Sequence, residues 1–133
     1  MKYFIGISLI LTFASCALNV DKEKAQKLTQ SYLEDVKNEN YNGINQYYTS
    51  SFNESEPLEK KIEKFNRLKN VMGAIQSYEL VSTKENKDAD KGINELELKY
   101  KVKCEKLTVE ETFLVVNDEG KEKIMFQNIE NGK

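Results

Sequence analysis

Two cysteines, one well-placed glutamate and a complete lack of histidine define the chemistry open to this 133-residue chain. Cys16 follows Lys2, an apolar run from Tyr3 to Phe13 and the small pair Ala14-Ser15. That is the order of a secretion signal ending at a thiol that can be acylated. With Cys16 consumed by lipid, Cys104 is a lone thiol without an intramolecular disulfide partner. Cys104 is in phase with Leu96, Leu98, Tyr100 and Val102, so it reads as a small buried hydrophobe rather than a nucleophile. Without imidazole there is no Ser-His or Cys-His pair and none of the usual nitrogen ligands for zinc. Proton transfer then falls to carboxylates, and Glu111 is the best placed because it shares strand parity with Val109, Phe113 and Val115. An inward face would bury its charge among apolar groups. Leu114 and Val116 make the opposite face available too, and the favoured reading is a carboxylate at a rim or on the surface. Asp88 and Asp90 lie beside Lys87 and Lys91, without the spacing or terminal bidentate glutamate of a calcium loop. No glycine-rich phosphate loop is present, so no metal and no cofactor are expected.

The amino-terminal apolar run is too short to span a bilayer, which needs about 20 residues, and has the length of a signal core. The tetrad Phe13-Ala14-Ser15-Cys16 resembles the bacterial lipobox, departing from it at Phe13, where Leu, Val or Ile is usual. The resemblance implies a signal peptide over residues 1–15 and a diacylglyceryl lipid on Cys16, with residues 16–20 as anchor and short tether. Such a tether reaches roughly 15 Å when extended, and two or more acyl chains hold a protein to a membrane effectively permanently. The expected location is the cell envelope, on the inner or the outer membrane, facing outside the cytoplasm. Removing residues 1–15 leaves 118 of the 133 residues, enough for one small domain. The charge of −2 becomes −3 once Lys2 is lost. Near-balance of this kind supplies no basic patch for phosphate backbones, so nucleic acid is not an expected partner.

The elements that must position these groups follow from periodicity. Asp21 or Asn19 can cap a first helix whose stripe is Ala25, Leu28, Tyr32 and Val36, widened by Leu33 and ending near Asn38. A shorter second helix is expected with Tyr41, Ile44, Tyr48 and Phe52 on its buried side. The third has Pro57 in its first turn, apolar residues Leu58, Ile62, Phe65, Leu68 and Met72, and Gly73 just past its end. From Ala74 the period becomes two. A strand over Ile75–Ser82 precedes a charged loop, Lys84 to Gly92, and then a strand alternating Leu96, Leu98, Tyr100, Val102 and Cys104 with charged residues. Its lysines read as the wet face. Strands over Leu107–Val116 and Ile124–Ile129 complete the set, separated by the turn signal Asn117-Asp118-Glu119-Gly120. The sequence predicts an α+β fold, with about three N-terminal helices on a curved antiparallel sheet of about four strands. The domain is expected over residues 21–129, with a disordered tail over 130–133.

That order, with three segments, resembles the nuclear-transport-factor-2-like superfamily, also called cystatin-like. The segments are Glu39 to Phe52, a turn into a helix ending in a small-polar pair and an aromatic; Gly73 to Leu80, a helix-stop glycine running into a long strand; and the terminal strands around Phe113 to Phe126. Within the superfamily the chain is most similar to small bacterial lipoproteins. The resemblance implies a cone-shaped concavity in which Tyr32, Tyr48, Tyr78 and Tyr100 can present hydroxyls to a small ligand. Tyrosines of the core whose hydroxyls reach the rim are the plainer alternative. The leading expectation is a membrane-anchored, non-enzymatic binding or assembly module with an envelope protein partner. The alternative is a ligand-binding domain or isomerase-type enzyme in which Glu111 and a tyrosine such as Tyr100 polarise the ligand. A concavity filled by Phe65, Met72, Leu98 and Phe126 would exclude a substrate.

Overall fold

The computed structural model describes residues 19–132; the expected signal peptide, the expected lipid-attachment residue Cys16 and Lys133 lie outside the described residues. Helix α1 (Lys22–Lys37) begins where Asp21 Oδ1 accepts from the Lys24 backbone N–H at 3.0 Å and stops at Asn38. Its inner face buries Ala25, Thr29, Tyr32 and Leu33. The single second helix expected over Tyr41–Phe52 does not form. Ile44–Tyr47 is a 3-10 turn, Tyr48 is extended at φ −103° and ψ 155°, and α2 (Ser50–Ser55) restarts with Thr49 as its cap. Tyr48 bridges to Ile124, and the Thr49 N–H donates to the Ile124 carbonyl at 3.0 Å. A pairing with the sheet thus wins over helical propensity in this segment.

Helix α3 (Leu58–Met72) closes on Gly73 at φ 81° and ψ 178°. The positive φ is the expected one, but ψ is extended and sends the chain straight into β1. This corner of dihedral space is essentially reserved for glycine. A Cβ there would also stand 2.7 Å from Glu105 Cβ. Gly73→Ala is therefore expected to cost about 2 kcal/mol, read as a lower urea midpoint with an unchanged slope. A change below measurement error would show that the turn relaxes freely.

Four antiparallel strands follow in the order β1 (Ile75–Asp88), β2 (Ile93–Cys104), β3 (Thr108–Asp118) and β4 (Lys121–Asn131), forming a curved sheet. Register shifts at Ile75/Ser77, Leu80/Ser82 and Leu114/Val115 mark bulges, which bend and twist the strands that carry them. The inner face of β2 buries Leu96, Leu98, Tyr100, Val102 and Cys104 as its alternation requires. Lys101 and Lys103 are exposed, and Lys99 pairs with Glu110 across the outer face at 3.1 Å. The α+β class read from the sequence is the class observed.

Three boundaries move. The charged segment expected as a loop from Lys84 is strand through Asp88, paired in register from Lys84↔Glu97 to Asp88↔Ile93, and the turn is confined to 89–92. Backbone pairing needs no apolar anchor, so the polar end of a long hairpin reads as loop. The expected disordered tail also continues as strand, with Glu110↔Glu130 and Val109↔Asn131 paired and the Gly132 N–H donating to Thr108 O at 3.0 Å. At the other end, Asn19 and Val20 belong to the domain rather than to a free tether. Val20 packs on the core, Asn94 Nδ2 donates to Asn19 Oδ1 at 2.8 Å, and Asn117 Nδ2 donates to the Asn19 carbonyl at 3.4 Å.

Candidate functional site

Strand β3 turns Val109, Glu111, Phe113 and Val115 inward, all buried. Glu111 is only 5% exposed, which overturns its reading as a rim or surface carboxylate. Leu114 and Val116 occupy the other face and are only partly buried, so the bulky apolar residues on that side do not mark the core. Glu111 lines a cavity of about 60 Å³ between the helix layer and the inner face of the sheet. Helix α1 contributes Tyr32 and Val36, α3 contributes Phe65, Leu68 and Met72, and the sheet contributes Val102, Val109 and Ile129. Lys37, Glu39 and Lys69 stand among the residues at its polar end, where Lys69 and Glu39 pair with one another.

The concavity is thus partly filled. Phe65 and Met72 line what is left, and Leu98 is wholly buried in the core. Phe126, the fourth residue that would have filled it, is half exposed on the outer face beside Leu114. The register shift at Leu114/Val115 accounts for this, because it places Gln127 and Ile129, rather than Phe126, opposite the inward residues Phe113 and Glu111.

Gln127 is the hub of the site and carries no signal in the sequence beyond strand parity. Its Nε2 donates to Glu111 Oε1 at 3.1 Å and to the Tyr32 hydroxyl at 2.9 Å, while the Tyr48 hydroxyl donates to its Oε1. Among the described residues no buried side-chain oxygen lacks a partner. The second Glu111 oxygen takes no bond from them, so it is the atom the cavity reaches. Burial first, moderated by Lys64 and the Gln127 hydrogen bond, raises the Glu111 carboxyl from 4.5 to about 8. At neutral pH it is predominantly a protonated acid that offers a hydrogen bond to the cavity. Burial likewise pushes Tyr32 and Tyr48 well above the ordinary phenol range.

Of the four tyrosines expected to line a site, Tyr32 alone lines this cavity. Tyr48 supports it from behind through Gln127. Tyr78 reaches the surface, where its hydroxyl donates to Glu34 Oε2 at 2.7 Å. Tyr100 lies directly across from Glu111 in the β2–β3 register, yet its hydroxyl is 2.7 Å from Thr29 Oγ1 and is committed there. The chain matches no model of a known protein family and has no significant match among curated proteins. What the fold and site define is a class: an α+β domain whose helix-covered antiparallel sheet holds a buried acid at an apolar pocket.

Proposed function

We propose that this chain is a membrane-anchored envelope lipoprotein whose nuclear-transport-factor-2-like domain is a non-enzymatic binding module, and that the Glu111 cavity is its binding site. One observation carries the reading: a buried carboxyl, fixed on one side by Gln127, turns its other oxygen into an apolar cavity. Ligand sites are concave and mostly apolar, with a few placed polar groups. The isomerase alternative draws less support. It needs a base together with a hydroxyl aimed at the same substrate atom; the Tyr100 hydroxyl is turned toward Thr29, and those of Tyr32 and Tyr48 are bonded to Gln127.

The attachment of the chain agrees with this reading. Asn19 is held between Asn94 and Asn117, beside the β1–β2 and β3–β4 turns. The polar end of the cavity is formed by Lys37 and Glu39 at the opposite end of α1, about 24 Å away at 1.5 Å per residue. A lipid on Cys16, three residues before Asn19, would set the turn-bearing pole on the bilayer and direct the pocket away from it. The ligand then comes from the aqueous side.

Two measurements test the proposal. Full-length protein is expected in the membrane fraction and Cys16→Ala outside it; equal membrane retention of the two would remove the lipid anchor. The full chain, solubilised with its lipid, is then titrated with mixed small molecules of about two to three non-hydrogen atoms while the methyl signals of Val102, Val109 and Ile129 are followed. A set that shifts none of those methyls would remove the cavity as a binding site.

A further inference from the structure

Among the described residues no lysine is in ion-pair contact with the Glu111 carboxyl, and Lys37 stands at the polar end of the cavity beside Glu39. Lys64, whose charge acts on Glu111, is held by Glu56 at 2.6 Å. Lys69 is held by Glu39. Three aromatic residues, Tyr32, Tyr41 and Phe65, line the same cavity, and aromatic faces attract cations most strongly when desolvated. The cavity volume of about 60 Å³ corresponds to roughly two waters at about 30 Å³ each, which is the scale of the smallest organic cations.

We propose that the Glu111 cavity takes a very small alkylammonium cation, its charged end on the free carboxyl oxygen and its methyl end toward Val102, Val109 and Ile129. The proposal rests on the reading of this cavity as a binding site. An isolated buried carboxylate is costly, whereas one paired with a cation at hydrogen-bond distance has its charge compensated. An anion would meet Lys37 and Lys69 at the polar end, but further in it would face Glu111, which has no lysine in ion-pair contact among the described residues. A neutral alcohol would gain the hydrogen bond alone.

Binding carries a proton balance. The carboxyl of Glu111 keeps its proton up to about pH 8. An entering ammonium keeps its own protons and leaves the carboxyl ionised, so one proton is released to solvent for each cation bound below that pH. The groups that face the carboxyl do not supply a competing titration. Tyr32 on α1, Tyr48 ahead of α2 and Tyr100 on β2 are all raised by burial. Cys104 on β2 is raised by burial, with Glu111 and Glu105 acting in the same direction. Lys64 on α3 is the facing cation, and Gln127 on β4 does not ionise.

The test titrates the solubilised full chain with methylammonium, methanol and formate, read by the methyl signals of Val102, Val109 and Ile129. Methylammonium affinity is expected to rise about tenfold per pH unit between pH 6 and 7.5 and to exceed that for methanol at least tenfold at pH 7.5. Glu111→Gln is expected to lose at least tenfold in methylammonium affinity at pH 7.5 and to lose the pH dependence with it. Methanol or formate binding as tightly as methylammonium, or an ammonium affinity independent of pH, would overturn the ligand class and leave the cavity as a binding site. Silence from all three probes would overturn the cavity as a site, and the ligand class with it.

Discussion

Glu111→Gln is expected to make this protein more stable at neutral pH, by about 3 kcal/mol at pH 7 and with a Tm rise of roughly 10 °C. The carboxyl ionises near 4.5 in the unfolded chain and near 8 in the fold. Between those values the folded state holds a proton that the unfolded state has released, so stability is fullest below pH 4.5 and falls as pH rises toward 8. Each unit of separation is worth about 1.4 kcal/mol. The amide has nearly the same shape, still accepts from Gln127 Nε2 through its oxygen, and has no proton to lose. Thermal melts of the two proteins are expected to converge near pH 4.5 and to separate progressively up to pH 8. A variant less stable than the parent at pH 7, or a gap that does not change with pH, would show that the carboxyl is held for structure. A buried acid that lowers stability at working pH and faces a cavity is the pattern of a group kept for what it binds.

The sequence made the scaffold legible wherever a single period governs a segment. The Leu96–Cys104 alternation buries every residue its spacing selects. The stripes of α1 and α3 face inward, with Ala25, Tyr32, Leu33 and Phe65 buried and Leu28, Val36, Ile62, Leu68 and Met72 partly so; the α+β class follows from them. Reading failed where pairing rather than burial decides the conformation. Lys84–Asp88 and Glu130–Asn131 are strand because their backbones find partners, and no side-chain pattern reports that. Tyr48 leaves its helix because the chain beside it hydrogen bonds to Ile124. The site was half legible. Parity nominated Glu111 but could not choose its face, since β3 is apolar on both sides and the choice belongs to the β2–β3 register. Gln127 was invisible because a bulge between strands, not a motif, turns it inward. Lys61 was hidden by its residue type, because lysine is almost never fully buried unless paired.

Lys61→Met is expected to destabilise the fold by about 4 kcal/mol, lowering Tm by roughly 15 °C. Lys61 is wholly buried on α3, and burial lowers its pKa. Its ammonium has no carboxylate in ion-pair contact among the described residues. It donates instead to Asn45 Oδ1 at 2.8 Å, to Asn53 Oδ1 at 2.9 Å and to the Glu56 carbonyl. The Tyr48 and Phe52 rings lie 4.9 and 5.3 Å from its nitrogen. One side chain therefore ties the 3-10 turn, α2 and α3 together, a region whose apolar burial is thin: α2 buries no residue and α3 buries only Phe65 besides the lysine itself. Methionine fills the volume but supplies no donor, leaving three acceptors to find water or go unpaired, and each buried orphan costs about 1–3 kcal/mol. The same substitution at exposed Lys103 is expected to change stability by less than 0.5 kcal/mol. Because Lys61 sits over the Tyr48 ring and Tyr48 holds Gln127, the effect should reach the carboxyl site. Combining Lys61→Met with Glu111→Gln is expected to depart from additivity by more than 0.5 kcal/mol in urea unfolding. Strict additivity would mean that the lysine staples the helices without setting the position of Gln127, and a loss below 1 kcal/mol for the single variant would mean that water replaces its bonds.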